Sequence, residues 1–408
     1  MSMFQYNPIF VGLEVGTSKI CCAVCELVDE RDLKLLGIGQ AKSHGVRKGE
    51  IVDPRATEKD ILEALNEAEN NANVRIKSLY LGVTGGHIRG QNNRGRHTIV
   101  SPTRQVSDED IQAVVQNARA TCLPVDHNTI HTIRQKFRLD GHGGIRNPLT
   151  MLGGDLELDM HIIHGNFNRL QNAIRPMKGL DPEVEQVAFN GLCSALSTLD
   201  KNQKELGALL LDIGGGTTDY VLYHGGTIRH SGVLPVGGDH ITNDLAIGLK
   251  VPLKRAEKLK LDHGSAIIDE RIHGKEITVG SDTLTRNSIN LEHLQRIMSL
   301  RVEEILELVA ADLDKHGLIE YLTAGVTLCG GGSRIPRIKE LVSRIFECEA
   351  HIGTIRGITG PQAVLEKPEF AAAFGLVRFG SMRPRENRTA ARGFGSLVGA
   401  VGSLFKRF

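Results

Sequence analysis

Apolar positions fall into short blocks whose spacing predicts alternating strands and helices. Ile9 to Val15 is an apolar run that stops at Gly16-Thr17-Ser18 and resumes from Lys19 to Leu27. Leu33 to Gln40 supplies a third such run, and the three predict a β-meander. From Thr57 to Asn70 the period changes: Ile61, Leu62, Leu65 and Ala68 share one helical face, after cap signals at Asp53-Pro54 and Thr57. Ser78 to Gly85 reads as a strand. The following stretch, to about His164, is rich in Arg, His and Gly. Short strands are expected there at His97 to Val100, Thr129 to Leu139 and Leu156 to Gly165, with a helix from Ser107 to Thr121. That change of character predicts a small inserted subdomain. Helices are expected over Glu185 to Leu199, Ile241 to Gly248, Leu253 to Leu261, Leu291 to Leu313, Ile335 to Phe346 and Phe370 to Phe379. Val326 to Leu328 reads as a short strand.

One pattern occurs twice. Val11-Gly12-Leu13-Glu14-Val15-Gly16-Thr17-Ser18 and Leu209-Leu210-Leu211-Asp212-Ile213-Gly214-Gly215-Gly216-Thr217-Thr218 each run apolar strand, acid, apolar residue, glycine, hydroxyl residues. A separation of about 200 residues is too long for a solenoid repeat and predicts two similar lobes. The chemistry of the unit suits phosphate. Glycine lets backbone N–H groups approach an anion closely, and threonine hydroxyls add donors. An acid at the strand end can hold a hydrated Mg2+, which keeps several of its waters. A single such hairpin is also an ordinary β-turn; two in register form a clamp. Leu328-Cys329-Gly330-Gly331-Gly332-Ser333 is a third glycine turn, suited to a nucleoside or to simple helix entry. Glu257 and Lys260 stand three apart on one helix face, either as a solvated ion pair or beside a ligand.

Composition narrows the classes. The chain has 408 residues, 40% apolar and 24% charged, as in an ordinary globular protein of two or three domains. A net charge of +1 and the absence of Trp argue against nucleic acid as a partner. Seven cysteines are scattered, and the lone Cys22/Cys25 CxxC has no second half to complete a zinc site. No basic start followed by an apolar run predicts secretion, and no apolar run reaches the ~18 residues of a membrane span. The chain carries no GxxxxGK[ST] and no GxGxxG after a strand.

On these residues the chain resembles the actin superfamily, with its sugar kinases and heat-shock chaperone ATPases. The first phosphate motif maps to Glu14 to Lys19, the second to Asp212 to Asp219 and the adenosine motif to Gly330 to Ser333. The helices packed between lobes map to Phe189 to Ala195 and Ala371 to Gly375. Within the superfamily the chain is similar to the FtsA family over nearly its whole length. The similarity rests on Gly12 to Lys19, Gly45 to Ile51 (GVRKGEI), Asn147-Pro148, and Val236-Gly237-Gly238 running into Ile241 to Asp244.

That resemblance implies an α/β, actin-like (ribonuclease H-like) two-lobed fold with a small inserted α+β subdomain and a C-terminal amphipathic helix. The expected division is 1–86 with 165–205 as the first lobe, completed by 360–380, and 87–164 as the insert. The second lobe takes 206–238 with 303–359, and 239–302 forms its outer part. It implies Mg-ATP between the lobes. Glu14 and Asp212 would position water on Mg2+, with Asp212 holding the metal through water. Gly16, Thr17, Ser18, Lys19, Gly214, Gly215, Gly216, Thr217, Thr218, Gly238, Asn243, Glu257, Lys260, Gly330, Gly331, Gly332 and Ser333 would bind nucleotide. It further implies head-to-tail self-assembly and binding of the C-terminal tail of FtsZ, with Arg301 as the residue facing that tail; a solvated basic face is the alternative for Arg301. Two departures bear on turnover. Glu14 stands where actins carry Asp. Asn190 lies near the place of a water-positioning Gln or Glu, and the shorter amide is a poor activator, so ATP hydrolysis is expected to be weak or absent.

Ser381 to Arg392 has four Arg against one Glu and reads as a flexible linker. Beyond it Phe394, Leu397, Val398, Val401, Leu404, Phe405 and Phe408 follow one helical stripe over 393–408, with Lys406 and Arg407 at the end. A helix docked on its own core or a coiled-coil strand would show the same stripe. Four glycines, each costing about 1 kcal/mol of helix propensity, disfavour that helix in water. At a lipid interface each large side chain contributes roughly 1.5–3 kcal/mol at most, and each basic residue about 1 kcal/mol. An interfacial membrane helix is therefore expected, also as the resemblance implies. The whole reading is a filament-forming division adaptor that anchors FtsZ, with other division proteins as further partners, on the cytoplasmic face of the inner membrane at the division site. The rivals are a small-molecule kinase of the same fold and a pilus-associated actin-like adaptor.

Overall fold

The computed structural model describes residues 7–28, 32–279 and 287–382. The apolar tail stripe, Phe394 to Phe408, and the linker beyond Met382 lie outside the described residues. Two sheets organise the chain. The first has six strands in the order Glu183–Phe189, Ser78–Val83, Ile9–Val15, Lys19–Leu27, Leu33–Lys42 and Ile358–Thr359. The second has nine, beginning Ala350–Ile352, Val326–Cys329, Ala208–Ile213, Thr218–His224, Thr227–Leu234. In each, an antiparallel three-strand meander carries two parallel strands on the side of its first strand. The internal repeat read from the sequence is thus a repeat of topology. Its turns match in detail: the last paired residues are Val15 with Ile20 in one sheet and Ile213 with Thr218 in the other. Four residues close each turn, through Gly16 N to Lys19 O (3.0 Å) and Gly214 N to Thr217 O (2.8 Å).

The helix Pro54–Ala72 starts where Asp53 accepts from the N–H groups of Arg55 and Ala56, with Pro54 in the first turn. Its stripe of Ile61, Ala64, Leu65 and Ala68 is buried on the first sheet. Two helices, Asn190–Thr198 and Ala371–Ser381, lie between the sheets and share one apolar cluster with residues of both, Cys21 and Ala23 on one side and Leu210 and Val221 on the other. Small residues permit this approach. A methyl group on Gly375 would sit 1.9 Å from the Cys193 carbonyl oxygen, and one on Gly12 would sit 2.4 Å from that of Ala373.

The structure corrects the sequence reading in several places. Glu185 to Leu199 is not one helix but the strand Glu183–Phe189 followed by the helix Asn190–Thr198. Val184, Val187 and Phe189 favour a strand, and parallel pairing with Ser78–Val83 decides the matter. Ser381, expected to begin the linker, still belongs to the last helix. The strand Arg89–Thr98 is longer than the expected His97 to Val100, because its residues are polar and glycine, which carry no apolar signal. Gly95 is pressed against the helix Asp108–Arg119, where a methyl group would lie 2.4 Å from Val114 O. The inserted segment 87–164 has its own apolar cluster, including Val114, Leu156 and Leu158, but no sheet of its own. Its strands Arg89–Thr98, Asp155–Asn166, His127–Leu139 and His142–Ile145 continue the second sheet, Arg89 pairing with Gly232. Cys22 and Cys25 sit on one strand at odd spacing and face different apolar clusters, and burial pushes the Cys21 thiol up to about 12.

The helix contact at Gly375 yields a direct test. Gly375→Ala should lower unfolding free energy by about 1–3 kcal/mol, because the added methyl must displace backbone. Gly154→Ala, where the nearest atom is Asp140 Oδ1 at 3.5 Å, should fall within ~0.5 kcal/mol of the parent protein in the same urea titration. Equal stability of the two variants would contradict the packing described.

Candidate functional site

The acids of the repeat sit one register step before each turn: Glu14 pairs with Cys21 and Asp212 with Asp219. Lys19 closes the first turn and bridges to Glu14 at 2.9 Å. Burial lowers the Lys19 ammonium, but Glu14 and its neighbours outweigh this and hold it above the usual lysine range. Asp212 accepts from Ser194 Oγ at 2.5 Å, a residue on the helix between the lobes. Burial, reinforced by the Glu14 charge, pushes Asp212 up to about 6. Asp219 is raised well above the carboxylate range by burial and then by Asp212, although Thr84 donates to it across the lobes. The result is a buried group of carboxyls in which charging one opposes charging the next. A divalent cation among them would relieve both their repulsion and their lost hydration.

The turns face each other. A methyl group on Gly216 would lie 2.5 Å from Thr17 Oγ1, and one on Gly215 would lie 3.1 Å from Ser18 Cβ. Thr17 Oγ1 also accepts from Gly49 N at 2.9 Å. Gly49 has a φ of +75° and closes the small hairpin of Val46–Arg47 and Glu50–Ile51, which wedges against both turns. With the turns in contact, a phosphate chain enters between them only as the lobes part.

On the second lobe, Asp239 N donates to Gly215 O at 2.7 Å and Gly238 N to Gly214 O at 3.0 Å. Thr218 Oγ1 donates to Val236 O at 2.9 Å. These bonds fix the Gly214 to Thr218 turn against the start of the helix Gly238–Gly248. Glu257 and Lys260 belong to this frame rather than to a solvated face. Lys260 Nζ is 2.7 Å from Glu257 and donates to Gly238 O (3.1 Å) and Thr242 Oγ1 (2.8 Å). Gly330 has a φ of +76°, and a methyl group there would lie 2.4 Å from Asp212 Oδ1, so the third glycine turn abuts the acid of the second. Gly331 has open space where a side chain would be. Ser333 is buried and donates to Gly330 O at 2.7 Å. Asn243 is exposed on Gly238–Gly248.

Of two other expected residues, Arg301 lies outside this frame, whereas Asn190 lies beside it, against Gly82, the pairing partner of Glu14. Arg301, on the helix Leu291–Lys315, is held by Asp244 and Glu304. Asn190 is buried under Gly82, and its Oδ1 has no hydrogen-bond partner among the described residues. The sequence motifs give no individual role to Thr84 or to the Lys48-Gly49 hairpin tip, and include Asp219 and Ser194 only as members of the second phosphate motif and of an inter-lobe helix. In the GVRKGEI stretch, Lys48 and Gly49 both have positive φ and form the tight turn of the hairpin.

The residues therefore fit a magnesium nucleotide: two donor-rich turns, a buried acid pair, one ammonium, and a third glycine turn with room for a flat group.

Two family models match the chain, "Cell division protein FtsA" over residues 209–375 and "SHS2 domain inserted in FTSA" over residues 85–164. The cell division protein FtsA of Pseudomonas aeruginosa is 34% identical over 382 residues, spanning 93% of this chain and 91% of that protein. Among solved structures, a PilM-PilN type IV pilus biogenesis complex aligns with a TM-score of 0.63 at 15% identity, covering 92% of this chain and 99% of the other. MreB5 of Spiroplasma citri bound to ADP aligns with a TM-score of 0.51 at 16% identity, covering 90% and 94%. The actin-like fold expected from the sequence is the fold of these neighbours. Likeness to the pilus protein is of fold alone.

Asp212 gives the test of the site. As an acid raised in the folded state, it favours folding below its unfolded value of 3.8, and that contribution is lost as pH rises through about 6. Asp212→Asn should raise the melting temperature of the nucleotide-free protein at pH 8 and change it little at pH 4. The same variant should lose the thermal shift that Mg-ATP gives the parent protein. A variant destabilised at pH 8, or one still stabilised by Mg-ATP, would contradict this assignment.

Proposed function

The chain belongs to the FtsA family of cell division proteins, and from that premise we propose that it binds Mg-ATP between its lobes, polymerises, and anchors FtsZ filaments to the cytoplasmic face of the inner membrane at the division site. The carrying observation is the pair of matched turns in contact, each with an acid one step behind it. Thr17, Ser18 and the backbone N–H groups of both turns bind the phosphates, with Lys19 as the cation held beside them. Asp212 holds Mg2+ through water, and Glu14 orients that water. When bound, the metal supplies charge that neutralises the phosphates and the acids alike. Gly330 to Ser333, with Glu257 and Lys260, frame the nucleoside.

Hydrolysis is slow in this reading. Asn190 is packed under the central sheet, so no long amide reaches a water at the end of the phosphate chain. ATP then serves as a structural ligand that sets lobe closure and assembly.

The surface around Arg301 suits an acidic, apolar peptide such as the FtsZ tail. Asp244 orients the guanidinium, and a carboxylate of the incoming chain replaces Glu304. Ile247 and Leu300 are 69% and 61% exposed on helices that pack together there. The tail stripe from Phe394 to Phe408 supplies the membrane contact. Among the described residues no helix is long and apolar enough to cross a membrane. Polymerisation multiplies modest anchors through avidity.

Two measurements check this. In liposome flotation with Mg-ATP, the full chain should rise with anionic vesicles, whereas a version ending at Arg392 should stay in the dense fraction. Equal flotation would remove the tail from the account. Arg301→Glu should weaken binding of an FtsZ C-terminal peptide by about tenfold or more while keeping its thermal transition, and unchanged affinity would place the peptide elsewhere.

A further inference from the structure

Away from the cleft, the strand Thr227–Leu234 and the end of the helix Leu291–Lys315 bring His230, Asp312 and His316 together. One ligand atom from each lies within 4.8 Å of the other two. His230 Nε2 is 2.6 Å from Asp312 Oδ2, and the two imidazoles stack with centroids 4.6 Å apart. Nothing in the nucleotide site uses these groups.

We propose that His230, Asp312 and His316 form a binding site for a divalent transition metal of the zinc class.

Two observations carry it. First, the donor set is two imidazoles and one carboxylate, which suits zinc and its neighbours; Mg2+ prefers all-oxygen surroundings. Three protein ligands leave a further position for water. Second, the ligands are already oriented. His316 Nδ1 is 2.8 Å from the backbone oxygen of Asp312, one helical turn earlier. A carbonyl only accepts, so Nδ1 carries the proton and Nε2 presents a lone pair. A backbone carbonyl holding the second ring nitrogen is the usual support of a metal-bound histidine. Tyr220 Oη donates to Asp312 Oδ2 at 2.6 Å and gives the carboxylate the same kind of support. Binding replaces the Nε2 proton of His230 by the metal.

The position gives the site a structural role. The residues flanking His230 hold the insert: Asn92 donates to Arg229 O at 2.7 Å, and Ser231 Oγ lies 2.8 Å from buried His161. A metal there would rivet the helix Leu291–Lys315 to the strand that carries this seam.

The test uses the untagged full chain in excess Mg2+. Titration with Co2+ should produce visible absorption of an imidazole–carboxylate site at one equivalent, and Zn2+ should bleach it and raise the melting temperature. His316 is exposed, so His316→Ala should fold normally, bind at least about 100-fold more weakly and lose the thermal shift. Tyr220→Phe, which removes only the support of Asp312, should bind about tenfold more weakly. Absence of a Co2+ spectrum in the parent protein would overturn the proposal. So would unchanged binding by His316→Ala, or a thiolate charge-transfer band assigning the metal to a cysteine.

Discussion

The structure depends on the close approach of two glycine turns backed by buried acids. Glu14, Asp212 and Asp219 are carboxyl groups drawn together by a repeated hairpin, and burial makes ionisation of Asp212 and Asp219 costly. Alone, such a group opposes folding, since desolvation and repulsion act in the same direction. It persists because everything around it is over-determined. The turns are locked by their own backbone bonds, by Thr84 across the lobes, and by the Lys48-Gly49 hairpin. In the proposed function a magnesium nucleotide would relieve this cost, which would couple ligand binding to lobe geometry.

The helix pair between the sheets transmits that coupling. Ser194 touches Asp212 and lies one residue from Cys193, whose carbonyl meets Gly375 on the opposing helix. A change at Asp212 therefore reaches the packed centre of the molecule through a single side chain. On the outside, the insert is covalently part of the first half but extends the second sheet. The Thr227–Leu234 strand thereby joins the insert and, through His230 and Asp312, the long helix that carries Arg301.

Local chemistry was legible in the sequence; long-range pairing was not. Glu14 and Asp212 announce themselves because strand, acid, glycine and hydroxyl are contiguous. Helices with one apolar stripe, such as Pro54–Ala72, were readable from period alone. The strand Arg89–Thr98 has almost no apolar residue, and only its neighbours make it a strand. The strand Glu183–Phe189 was hidden by the helix that follows it without a break. His230 and Asp312 are 82 residues apart, so their meeting is a product of sheet order. The role of Thr84 has the same cause, since it reaches Asp219 from the other lobe.

The most direct measurement is a crystal structure of the full chain with Mg2+ and a non-hydrolysable ATP analogue. The account predicts phosphates lying between Gly16–Lys19 and Gly214–Thr217, with Thr17 moved off Gly216 and the metal's water on Asp212. Phosphates resting on one turn only, with Thr17 still against Gly216, would contradict it.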